Sequence, residues 1–151
     1  MQVIDWQRFG MTAVPVSQLV PPALDWAVAK ADGVDVVVIL GSLYGRPDCR
    51  YVLLRAVTQH AYAPSSDLLN FGWLVSRHGQ SIGLQLDYRE KSASFAQGTL
   101  RIGYTALSVP EAGCRAVVAA LLGDSVLVPN LLLIRPPEGA REFHRAHLAG
   151  A

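Results

Sequence analysis

Ser108-Val109-Pro110-Glu111 opens a run that continues to Leu122 and stops at Gly123, and no other segment constrains the fold as strongly. The Ser108 hydroxyl can accept from the Glu111 amide while Glu111 reaches back, a capping box that starts a helix at Val109. Past the cap only Glu111 and Arg115, four apart, are clearly polar. A helix apolar nearly all round must be covered on every side, so this one is expected at the centre of the molecule.

The remaining elements are expected around it. Pro21 and Pro22 suit a first helical turn, Leu24, Ala27, Val28 and Ala31 fall on one face, and Gly33 supplies a stop, which predicts a helix of about three turns. Asp25 and Asp32 fall off its apolar face, and Trp26 and Lys30 are spaced to cover each other. Val34 to Leu40 reads as a buried strand and Tyr51 to Val57 as its antiparallel return, with a turn at Gly41 to Asp48. Ala13 to Val16 reads as an edge strand. Ser65 or Ser66 can cap a short helix through about His78 with Gly79 as its stop. Ile82, Leu84, Leu86 and Tyr88 alternate with polar residues, as do Leu100, Ile102 and Tyr104, with a polar loop between Arg89 and Gly98.

Strands and helices do not alternate regularly, so the expected class is α+β: an antiparallel sheet of about four strands packed with two main helices and a short third. The chain of 151 residues suits one domain, expected over residues 1–135, with residues 136–151 as a loosely held tail. A hydrophobic fraction of 51% against 17% charged residues demands a packed core and leaves apolar surface for a partner, a homodimer among them. No apolar stretch approaches the roughly 18 residues of a membrane span. The first ten residues carry Asp5, Gln7 and Arg8 and lack the apolar stretch of a secretory signal, so a cytoplasmic protein is expected. Cys49 and Cys114 read as packing thiols of a reduced compartment.

Chemistry is sparse. Gly41-Ser42-Leu43-Tyr44-Gly45 lacks the third glycine and the lysine of a phosphate loop, and Ser42 is not placed as a nucleophile elbow. His60, Asp67 and His78 match no zinc spacing, and His144 and His147 have no third ligand nearby, so no metal or cofactor is expected. The segment holding Tyr62, Ser65, Asp67, Asn70, Trp73, Arg77 and His78 is the candidate binding surface, because long irregular connections often carry function. Its plainer reading is helix capping by Ser66 and Asp67 with Leu69, Trp73 and Leu74 packed inward. A net charge of +1, with neither sign in a block, does not advertise nucleic acid. That function would need Arg77, Arg89, Arg101 and Arg115 gathered by folding beside Tyr62, Trp73 or Tyr104.

Ala23-Leu24-Asp25-Trp26-Ala27-Val28-Ala29-Lys30 with Gly33 beyond, Pro64-Ser65-Ser66-Asp67 with Gly72 and the stretch from Leu74 to Ile82, and Ser108-Val109-Pro110 through Gly123-Asp124 to Val128-Pro129 resemble three blocks of the phage NinX-like family, small proteins of tailed phages and prophages. The blocks frame roughly residues 16 to 130. The chain departs from the family at Trp73, where relatives tend to carry Gly or Pro, in the region from Gly41 to Val57, and after Pro129. The resemblance implies phage or prophage origin and action inside a bacterial host, and it carries over no catalytic residue, substrate or cofactor. The expected function is therefore a non-enzymatic accessory module that binds a host or phage protein. A nucleic-acid-binding protein is the alternative, and a small-molecule enzyme centred on Asp67, Arg77 and His78 comes third.

Overall fold

The Ser108 hydroxyl accepts from the Glu111 amide as its position predicts, and the helix behind it, α3 (Val109–Leu122), buries every residue from Val109 to Ala119. The computed structural model describes residues 2–42, 49–133 and 141–146. In chain order the other elements are β1 (Val3–Ile4), β2 (Met11–Pro15), α1 (Ala23–Asp32), β3 (Val36–Leu40), β4 (Tyr51–Arg55), α2 (Leu68–Ile82), β5 (Gln85–Asp87), β6 (Ser92–Gln97), β7 (Leu100–Thr105), β8 (Ser125–Pro129) and β9 (Arg141–Ala146). The fold is α+β, with every strand pair antiparallel.

The strands form a four-stranded sheet ordered β5-β6-β7-β9, a three-stranded sheet ordered β1-β3-β4, and the pair β2-β8. Helix α3 packs on β6 and β7 and also touches α1 and α2, so its apolar circumference is satisfied from all sides. Gly113 lets α2 approach, since a side chain there would collide with the Phe71 ring. On α1 the Lys30 ammonium lies 4.9 Å from the Trp26 ring centroid, the mutual cover their spacing predicts. Gly33 ends α1 in the left-handed conformation.

Several expectations need correction. Ser65 and Ser66 do not cap α2; Asp67 does, accepting from the amides of Leu69 and Asn70 at 2.9 and 3.3 Å. The helix runs through Gly79, which is buried against Val75 and Leu84, and stops at Gly83 with a φ of 65°. Of the alternating run from Ile82 to Tyr88, only Gln85–Asp87 is strand. The supposed loop between Arg89 and Gly98 contains β6, whose sequence SASFAQ is weakly β-forming by composition. It is held between β5 and β7, and Ser92, Ala93, Ser94 and Phe95 are all buried. Residues 141–146, expected in a loose tail, form β9 along β7, charged residues and all, as suits an edge strand. The expected turn beyond Ser42 and the rest of the expected tail lie outside the described residues. Cys49 and Cys114 are both free and buried.

Candidate functional site

Of the seven residues expected to form a binding surface, the structure commits four, Tyr62, Ser65, Arg77 and His78, to buried aspartate carboxyls. Ser65 is buried, and both its amide (2.9 Å) and its hydroxyl (2.8 Å) donate to the carboxyl of Asp25, which is itself fully buried on α1. Tyr62 is buried beneath the Arg55 guanidinium, 5.0 Å from its ring, and its phenol donates to Asp32 at 3.4 Å. Arg77 and His78, successive on α2, converge on the same Asp32 at the end of α1. Arg77 donates through Nε at 2.9 Å to Oδ1 and through its terminal nitrogen to Oδ2, and His78 Nε2 lies 2.7 Å from Oδ1. Asp67 is spent on the cap, and Asn70 lies in the first turn with its side-chain oxygen buried and unbonded among the described residues. Trp73, 52% exposed, stands out into solvent.

Asp32 is the electrostatic centre of this cluster. Its side chain is 1% exposed, whereas those of Arg77 and His78 are 42% and 22% exposed. Burial pushes its carboxyl upward, but the bonds from Arg77 and His78 outweigh that and hold it below the ordinary carboxylate range. The same bond raises Arg77. Burial, with the Asp32 charge beside it, pushes the Tyr62 phenol well above its usual value. A general base needs an open approach and a pKa near the working pH; Asp32 is ringed by donors from α2 and from Tyr62 and remains ionised. The arrangement clamps α1 to α2.

Asp25 and Asp32 were not among the expected site residues. Their spacing of seven places them on one side of α1 two turns apart, off the apolar face read from the sequence. Asp32 yields a pH prediction. Its folded pKa is depressed, so the stability it contributes is complete above the unfolded value of about 4 and fades as pH falls through the lower folded one. Asp32→Asn is expected to cost about 2 kcal/mol at neutral pH, and the difference from the parent, followed by urea unfolding, should shrink toward pH 2. A constant difference across that range would refute the assignment.

The histidines not expected to bind metal lie on separate segments of the chain. His60 is exposed in a turn, and His144 lies on β9 paired with Glu142 instead of on a helix; His147 lies outside the described residues. No three His, Cys, Asp or Glu side chains among the described residues are grouped to hold a metal. The four arginines named for nucleic acid do not share a face. Arg115 is fully buried, donating to the carbonyls of Leu19 and Thr105, while Arg77 is bound to Asp32.

What the surface does offer is apolar. Leu68 and Leu69 at the start of α2 are 70% and 62% exposed, Trp73 beyond them is exposed too, and the space above Gly72 is open. Leu69 and Trp73 are one turn apart and so adjacent on the helix surface. On another side Met11, Trp26, Leu122 and Leu127 line a groove of about 390 Å³. No described helix is long and apolar enough to cross a membrane. Comparison with protein-family models, with characterised proteins and with solved structures finds no match to this chain.

Proposed function

We propose that this chain is a non-enzymatic protein-binding module that works through the outer face of α2, and that the first occupant of that face is a second copy of the chain. The observation that carries the reading is the exposure of Leu69 and Trp73, one turn apart on one face of α2, with Leu68 exposed at the start of the helix. An apolar patch of this kind on an otherwise well-packed chain is what an interaction surface needs. A two-fold pair of antiparallel α2 helices would set Leu69 of each copy against Trp73 of the other, with Gly72 allowing close approach. Arg77 and His78 of the same helix are bound to Asp32 and Asp67 is spent on the cap, which supports binding over catalysis. Phage or prophage origin and action in the host cytoplasm belong to the same reading, supported by the three sequence blocks that resemble the NinX-like family. The nucleic-acid alternative has less support, because Arg77 and Arg115 are committed to interior partners.

Size-exclusion chromatography with light scattering at micromolar concentration tests the proposal. A dimer is expected, indifferent to nuclease and to salt. The double substitution Leu69→Asp and Trp73→Asp should give a monomer whose unfolding midpoint stays close to the parent's, since both positions are exposed. A strictly monomeric parent, or a double variant that still dimerises, would overturn it.

A further inference from the structure

The β7–β9 register places like charges together. Arg101 is opposite Arg145, Gly103 opposite Phe143, and Thr105 opposite Arg141. Residues two apart on a strand share a face, so Arg101, Arg145 and Arg141 lie on one face of the four-stranded sheet. The ring of Phe143 lies where a Gly103 side chain would be, and the Arg145 guanidinium sits over that ring at 5.0 Å. Arg101 is only 6% exposed, yet no carboxylate among the described residues pairs with it. Its terminal nitrogens donate to neutral acceptors, the Gly83 carbonyl and the Ser94 hydroxyl at 3.2 Å, and its Nε is buried with no acceptor among the described residues.

Buried arginine is ordinarily neutralised, and like charges set directly opposite across a sheet repel. Burial and the neighbouring Arg145 both work against the Arg101 charge. An anion between the two guanidiniums removes the repulsion and supplies the acceptor that Nε lacks. The Arg145 fork and the unsatisfied Nε of Arg101 bring two positive charges and several N–H donors to one anion, which favours a phosphate group over a single carboxylate.

We propose that the β7–β9 face is a phosphate-binding site in which Arg101 and Arg145 clamp the anion and the Ser94 hydroxyl lies beside it. The phosphate can arrive free or on a nucleotide, and the two sources are separable. Isothermal titration of the full chain with inorganic phosphate and with adenosine monophosphate should give saturable binding that chloride at equal ionic strength does not reproduce. Equal affinities identify the free anion as ligand, and tighter binding of the nucleotide identifies a nucleotide. Arg145→Gln, exposed and free of folding risk, should weaken either ligand about tenfold, and Arg101→Lys, which keeps the charge but not the fork, should weaken it as well. Absence of phosphate binding above the chloride control, or full retention of it in Arg145→Gln, would refute the site. The site is independent of the α2 face, so the Leu69→Asp, Trp73→Asp variant should bind phosphate unchanged.

Discussion

Replacing Arg115 with alanine is expected to destabilise the protein by about 4 kcal/mol, the largest single-residue effect foreseen. The side chain is completely buried on α3. Its Nε and one terminal nitrogen donate to the Leu19 carbonyl at 2.9 and 2.7 Å, and the other terminal nitrogen donates to the Thr105 carbonyl at 2.7 Å. One guanidinium thus holds the chain entering α1 and the end of β7 against the central helix. Glu111, one turn earlier, lies 4.0 Å away and would lose that neighbouring charge. Truncation combines a cavity with lost bonds to buried carbonyls, and both effects act in one direction. Arg115→Lys keeps the charge without the fork, so it should recover only part of the loss. Urea unfolding followed by tryptophan fluorescence measures it. A loss under about 1 kcal/mol for the alanine variant would mean the guanidinium is replaceable by water, contrary to its burial.

Asp25→Ala is the second large effect, at about 3 kcal/mol. The carboxyl receives the Ser65 amide and hydroxyl in the core, so its removal leaves a buried backbone donor without that acceptor. The damage should be directional: hydrogen exchange at Ser65 should speed up by more than exchange in β6 and β7. Asp25→Asn keeps an oxygen for the amide and an amide group that the serine hydroxyl can face, and should cost about 1 kcal/mol. Equal losses for Asn and Ala would show that the charge, not the bonding pattern, is what the site requires.

Legibility in the sequence followed the range of the interaction. The α3 cap, the αL stop at Gly33 and the pairing of Val36–Leu40 with the strand from Tyr51 all depend on residues near one another in the chain, and the structure contains each of them. Strand β6 was not legible, because SASFAQ is a strand by virtue of having β5 and β7 on either side. Strand β9 was hidden by its charges, which suit a sheet edge but read as a solvated tail. The same rule governs the site. Tyr62, Ser65, Arg77 and His78 were expected on a binding surface, but their partners are Asp25 and Asp32, at least 30 positions away. No local pattern encodes that distance. Trp73 kept its exposure because nothing in the described chain comes over it.

The pairing of β2 with β8 has a kinetic consequence. Met11 lies opposite Pro129, and Asn130 ties the turn before β2 in place by accepting from the Thr12 hydroxyl and donating to the Phe9 carbonyl, contacts spanning 118 and 121 positions. Strand β1 can pair with β3 much earlier, whereas β2 therefore has no native sheet partner until residues 125–129 have been synthesised. Contacts this distant carry a high loop-closure cost and mark slow folders. During synthesis α1, the β3–β4 hairpin and the pairing of β1 with β3 can form early, while β2 waits for β8.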